Sequence, residues 1–456
     1  MDVSQVPASY THMHFAFGTL TDDLRVSFED EYVKYQFEQF KKLRGPNRIL
    51  SIGGWAFSAE KKYYSTFQKG VKFANRWDMA ANIATFVLEN GLDGVNIDWG
   101  YPGATSAPGI PPTDNDNEGA MYALFLSILR SKLDPSKSLS IAAPASYWYL
   151  QNLPIQNMAE NLDYIVYMTH DLHDQWDAAN AWADSGCPAG NCLRSHVNLT
   201  DTLSALSVIT KAGVPSKKVI VGVAGYGRSF QMANSSCTGS NCSFIGGSGT
   251  GNSTARKGRC TDTAGYLGNV EIREIADSPD AKTWYDKDSD SNIMTYNGDN
   301  WVSYMSDAVR DSRTKLYKDY NMGGTANWAM DLNQFHDAPK VYEGSDVDLG
   351  WDNIKSNIKN FGQAKVCNLD ARTGTWVNLE CTKDQVASPF DFTPNDRWKA
   401  LECGAAWNDA KVRWVSCDRG RITFSNSISQ FLHTNENAVR LTPTTSQSEP
   451  PTLIAV

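Results

Sequence analysis

The chain contains no run of about 20 apolar residues, so nothing in it reads as a helix able to span a bilayer. Its opening residues, MDVSQVPASY, have neither a basic stretch nor an apolar one, and no signal peptide is visible. Positive charge is in short supply: Lys and Arg number 42 against 51 Asp and Glu, a net charge of −9. That balance argues against nucleic acid or an anionic membrane surface as partner, since both select basic patches. Histidine is scarce too, at seven. The two short cysteine loops, CPAGNC (187–192) and CTGSNC (237–242), have no histidines or further cysteine pairs at zinc-ligand spacing. No metal and no cofactor is expected.

What is present suits a large, partly extracellular-looking fold. Hydrophobic residues make up 41% of 456 positions, enough for one large core with an appendage. The 14 Trp and 19 Tyr exceed what a core needs and suit a cleft that stacks on flat sugar faces. Nine cysteines favour disulfides over zinc, with connectivity open and one cysteine left over. Asn198, Asn234, Asn241 and Asn252 each begin an N-x-S/T sequon. Together with the cysteines they point to an oxidising, secretory route, in conflict with the missing signal peptide.

Strand-like and helix-like segments alternate. HMHFAFG (12–18), RILSIGG (48–54), GVNIDW (94–99), SLSIAAPA (138–145), YIVYMTHD (164–171), KVIVGVAGYG (218–227) and GGTANWAM (323–330) read as strands. Most are near-continuous apolar runs, as in parallel strands buried on both faces. Residues 74–90 and 118–133 read as helices between them. The pattern is α/β, and polar or aromatic residues at strand C-terminal ends favour a (β/α)8-type TIM barrel over an open sheet. Residues 228–322 read as an inserted α+β subdomain, 1–360 as the whole barrel unit, and 361–456 as a small cysteine-containing module. The tail TPTTSQSEPPT reads as disordered. Only seven barrel strands can be counted.

The segment LDGVNIDWGYPG carries the most chemistry. Alternation along a strand puts Asn96, Asp98 and Gly100 on one face, toward the barrel axis, and Val95, Ile97 and Trp99 on the other. Trp99 is therefore expected in the core. A buried polar face must be hydrogen-bonded or used.

This segment resembles the D-x-x-D-x-D-x-E signature of glycoside hydrolase family 18 chitinases. SIGGWAFS (51–58), APASYWYL (143–150), YMTHDLHDQWD (167–177), GNCLRSHVNLT (190–200), YGRSFQM (226–232) and NWAMDL (327–332) match in order, most nearly the fungal class V chitinases of the killer-toxin alpha-subunit type. The resemblance implies a substrate-assisted retaining mechanism, in which a glutamate protonates the glycosidic oxygen and the N-acetyl carbonyl attacks the anomeric carbon. Carried over by position, Asp93 and Asp98 are retained, but the second Asp is Asn96 and the glutamate is Gly100. The Tyr of the M-x-Y-D strand is His170, beside a retained Asp171. Trp328 and Tyr226 are retained, and Trp55, Trp148 and Arg228 join them as candidate substrate-binding residues.

The resemblance therefore implies a chitin- or chitooligosaccharide-binding protein with little or no hydrolysis, because glycine offers no proton. The competing reading is an active endochitinase that uses another donor, with Asp98 the candidate. It also implies a secreted protein and leaves a toxin subunit as a candidate partner. In the resembled proteins another strand precedes the point where this chain starts. Strands 12–18 and 323–330 are thus expected at open edges, with Met1 internal to a longer chain. Trp148, Trp176 and Trp301 are further cleft candidates. DKDSDSN (286–292) starts like a calcium loop but lacks the glycine and glutamate such a loop needs, and reads as a solvated turn.

Overall fold

The computed structural model describes residues 3–333 apart from 4–5, 8, 29, 105–116, 184–185 and 247–252, together with the backbone of five short strands between 367 and 455. The boundary drawn at 360/361 and most of the TPTTSQSEPPT tail lie outside the described residues. The chain divides into one unit of Met1–Phe335 with Glu449–Val456, and a second of His336–Ser448. In the second unit two antiparallel hairpins are described, Cys367–Asp370 with Thr375–Val377 and Trp414–Asp418 with Arg421–Ser425.

The first unit is built on parallel strands β1 (His12–Leu20), β2 (Asn47–Gly53), β3 (Gly94–Asp98), β4 (Ser138–Pro144), β5 (Tyr164–Met168) and β6 (Val219–Ala224). Each pairs with the next in register, for example Ser51 opposite Asn96 and Asn96 opposite Ser140. A second, antiparallel sheet follows, made of β7 (Tyr226–Met232), β8 (Tyr266–Gly268), β9 (Lys282–Asp286), β10 (Ser291–Tyr296) and β11 (Asn300–Tyr304). The chain then returns to the barrel with β12 (Gly324–Trp328), which lies parallel to β6.

The expected open edges are corrected by the structure. Strand β13 (Thr452–Ala455) lies parallel between β12 and β1, with Gly324 opposite Thr452 and His12 opposite Ile454. Eight parallel strands thus form a closed ring. Nothing in the chain's pattern announces this strand, because TLIA is only four residues long and follows two prolines. The run 218–227 is likewise two strands: it breaks at Gly225, beyond which β7 belongs to the other sheet.

Local chemistry explains the elements. In β2, Ile49, Leu50 and Ile52 are all buried, one set facing the barrel interior and the other the surrounding helices. Helix α1 (Arg76–Glu89) buries Met79, Ala80, Ile83 and Val87 at three- and four-residue spacing against that wall. It stops where Gly91 adopts a φ of 60°. Helix α2 (Glu118–Lys132) packs beside it. Helix α3 (Leu199–Lys211) starts at Asn198, whose side chain accepts from the backbone N–H groups of Thr200 and Asp201. Trp99 is buried, stacked on Phe67 and edge-on to Tyr122, as the alternation of β3 requires.

The barrel interior is not wholly apolar. Asn96 accepts from Ser140 Oγ at 3.0 Å and donates to Ser51 Oγ at 3.2 Å. His14 contacts Ser51 Oγ at 3.2 Å and Tyr164 OH at 2.8 Å. Burial, with His12 nearby, lowers the pKa of His14 to about 3, so the imidazole is neutral.

Candidate active-site cleft

The C-terminal end of β3 places Asp98 and Gly100 at the mouth of the barrel. Burial pushes the Asp98 carboxyl up to about 6, partly offset by His170. Gly100 donates its N–H to Ser58 Oγ at 3.0 Å. A Cβ at this position would lie 3.6 Å from Ser58 Cβ and 3.7 Å from its Oγ, ordinary van der Waals contact. The following turn takes its positive φ angles at Tyr101 (77°) and Gly103 (69°), not at Gly100. Asp93, by contrast, precedes the strand at its other end, about 20 Å from the mouth by strand rise. There its carboxylate accepts from the Arg48 backbone N–H at 2.8 Å and from Arg48 Nε at 2.9 Å.

Beyond β5 and on β7 lies a charged cluster. Arg228 donates Nε to Asp171 at 2.8 Å and places Nη1 2.7 Å from Asp174 Oδ2. Tyr226 donates its hydroxyl to Asp171 at 2.6 Å and stands 3.1 Å from His170 Nδ1. Burial disfavours the Asp171 charge, but Arg228, His170 and His196 outweigh it and hold the carboxyl well below the ordinary range. For Asp174 burial wins over Arg228, and the carboxyl is pushed up to about 6. The Arg228 guanidinium also lies 5.1 Å from the ring centres of Trp176 and Tyr266.

Trp328 stacks on Phe17 with centroids 5.5 Å apart, and Tyr226 stacks on Tyr266 at 4.6 Å. Trp55 is 64% exposed, Trp148 53% and Trp176 40%. Exposed indole rings cost hydration free energy unless a ligand face covers them. Two short loops are pinned by the disulfides Cys187–Cys192 and Cys237–Cys242. Their loops are joined by hydrogen bonds from Leu193 N to Cys242 O and from Phe244 N to Asn191 O. Cys260 is a free, exposed thiol. Among the described residues no cluster of metal-ligating side chains occurs, and no helix is long and apolar enough to cross a membrane.

Comparison with known proteins decides the family. The profile of Glycosyl hydrolases family 18 matches residues 2–333. The chain belongs to glycosyl hydrolase family 18. It is 45% identical to a protein named secreted chitinase LysM12 from Penicillium expansum, over 96% of this chain and 29% of that protein. It is 35% identical to the killer toxin subunits alpha/beta of Kluyveromyces lactis, over 76% of this chain and 29% of that protein. The chain thus spans less than a third of the length of either relative. Among solved structures, a Group IV chitinase of Ostrinia furnacalis superposes with a TM-score of 0.62 at 21% identity, covering 74% of this chain and 89% of that one. Human YKL-39, described as a pseudo-chitinase with retained chitooligosaccharide binding, superposes at 0.55 with 21% identity, covering 71% and 85%. At these identities the structures show the fold.

Within this family 18 barrel the structure brings together Asp98, His170, Asp171, Tyr226 and Arg228, with Gly100 two residues beyond Asp98 and bonded to Ser58, while Asn96 lies deeper in the barrel and Asp93 lies apart. Trp301, expected as a cleft candidate, is instead 1% exposed in the core of the second sheet, its Nε1 donating to Thr238 O. The 286–292 run is a turn in which Asp286 accepts from the Ser289 N–H and Asp290 pairs with the buried Arg313. Sequence reasoning overlooked Ser58, Asp174, His196, Tyr266 and Phe17. Of these only Asp174 left a signal, as the second of three acidic residues in DLHDQWD, three positions after the retained Asp171.

Proposed function

We propose that this chain holds chitin or chitooligosaccharides in its barrel cleft and cleaves them little or not at all. The observation that carries the reading is Gly100, which stands at the mouth of β3 where the signature carries its glutamate, while Trp328 and Tyr226 of the same resemblance are kept. A positioned general acid contributes roughly 10²–10⁴-fold in rate, and a glycine contributes none of it. Binding and bond cleavage are separable, because only interactions stronger in the transition state speed the reaction. The family and the naming of relatives as chitinases support the sugar class. Two disulfides and the exposed sequons at Asn234 and Asn241 support a secreted protein, and the killer-toxin relative supports a toxin subunit as a candidate partner.

The test joins calorimetry to turnover. The chain is expected to bind chitohexaose and to release no chromophore from an aryl chitobioside. Because the space at Gly100 accepts a Cβ, Gly100→Glu is expected to raise release by about 10²-fold or more. A folded sample that binds no chitohexaose would overturn the reading. One observation favours the second reading, an endochitinase using another donor: Asp98 has a carboxyl pushed up to about 6 and so carries a proton at mildly acidic pH. Turnover by the unaltered chain that disappears in Asp98→Ala would establish it.

A further inference from the structure

Arg76 is a buried arginine without a partner. Only 8% of its surface is exposed, and its Nε is shut away from solvent with no acceptor. Among the described residues its terminal nitrogens meet no acceptor either, and no carboxylate lies within ion-pair distance. Arg313, fully buried, is treated differently: it is met by Asp290 and by the carbonyls of Val197 and Ser289. A guanidinium keeps its proton inside a protein, and a buried charge left unpaired is costly. What Arg76 lacks is an anion.

The placement of Arg76 says where that anion belongs. Arg76 is the first residue of α1, and its Cζ lies 5.8 Å from the ring centre of Phe73, three residues earlier. The guanidinium is thus turned back toward the N-terminal end of the helix, against a ring that is 80% exposed. That end is uncapped. Asn75, in the capping position, makes no capping bond and instead donates Nδ2 to Lys69 O at 2.9 Å. The Arg76 N–H is taken by Lys72 O, but the N–H groups of Trp77 and Asp78 find no acceptor among the described residues. A helix N-terminus carries about half a positive charge and aims such N–H groups at anions. The Asp78 carboxylate does not fill the role, because residues two apart on a helix do not face each other.

We propose that the first turn of α1 binds a small oxyanion of the phosphate or sulfate class. It is held by the Arg76 guanidinium together with the N–H groups of Trp77 and Asp78. The planar fork of an arginine matches two oxygens of such an anion and gives a pair of charge-assisted hydrogen bonds. The inference does not rest on the sugar-binding reading, since none of these groups belongs to the cleft described above. The same oxyanion occurs free and as a monoester on a sugar, and the test separates these two sources.

The full chain is titrated with inorganic phosphate at constant ionic strength, with sodium chloride as the balancing salt. The melting temperature is expected to rise and saturate, with a midpoint on the order of 1 mM. At about 10 mM phosphate, hydrogen exchange in the 76–79 segment is expected to slow about tenfold. Arg76→Met is expected to lose both responses. Arg76→Lys, which keeps the charge without the fork, is expected to move the midpoint up about tenfold, and it serves should Arg76→Met fail to fold. N-acetylglucosamine 6-phosphate, with N-acetylglucosamine as the control, identifies the source. A midpoint equal to that of inorganic phosphate marks a site for the free anion, and a much lower one marks the ester. A titration that never saturates, protection that falls outside 76–79, or responses unchanged in both variants overturns the proposal.

Discussion

Gly100 and Tyr101 divide two tasks between them. The turn after β3 needs a left-handed backbone, and Tyr101 supplies it with a φ of 77°. Gly100 lies outside that region and only donates its N–H to Ser58. A glycine required by no turn is a position where a larger side chain can be restored, which is why Gly100→Glu is an informative variant. His173 is informative in a different way. Its folded pKa of about 9 lies above the ordinary 6.5, so its contribution is fully present below pH 6.5 and is lost as pH rises through 9. The contribution is on the order of 3 kcal/mol. Melting temperature is expected to fall between those pH values in the unaltered chain and to fall less in His173→Gln. Parallel pH profiles for the two proteins would remove His173 from the account.

Strand β3 shows how one element serves the core at one end and the cleft at the other. Val95 and Ile97 are buried against the helices, and Asn96 is buried inside the barrel between Ser51 and Ser140. Replacing Asn96 by Leu would leave two buried hydroxyl groups short of a partner. The expected cost is about 2–4 kcal/mol, read from urea denaturation, and a loss below about 0.5 kcal/mol would show that the serines find other partners. The legible parts of the fold follow the same logic. Apolar runs such as those of β2 and β4 announce parallel strands because both faces must be covered. Alternation in β3 correctly sends Trp99 to the core and Asn96 to the interior. Exposure of a tryptophan in an insertion is not written in its own neighbourhood: Trp301 is buried because β7, β10 and β11 assemble around it. Asp174 is visible as an acidic residue, but its pairing is not, since that depends on Arg228, more than fifty residues away in the chain.

At the scale of the whole molecule, closure of the barrel depends on a strand of four residues. Strand β13 covers the hydrogen-bonding edges of both β1 and β12. An uncovered parallel edge invites pairing with another chain. Removal of residues 449–456 is therefore expected to lower the melting temperature and to cause concentration-dependent association, seen by light scattering. A deleted chain that stays monomeric with an unchanged melting temperature would show that β13 adds nothing to the ring.

The pairing of His12 with Ile454 also gives the barrel an unusually remote final contact. Strands β1 to β6 each meet a neighbour one βα unit away, and those contacts close short loops. The last gap closes only when segments from opposite ends of the described chain meet, after nearly all of the intervening sequence has been synthesised. Loop-closure entropy grows slowly with length, but long-range pairings retard folding as a class. The expected folding order is thus an open, curled sheet first and a ring last. Until the ring closes, the barrel is a sheet with two free margins, and the time spent in that state sets its exposure to misassembly.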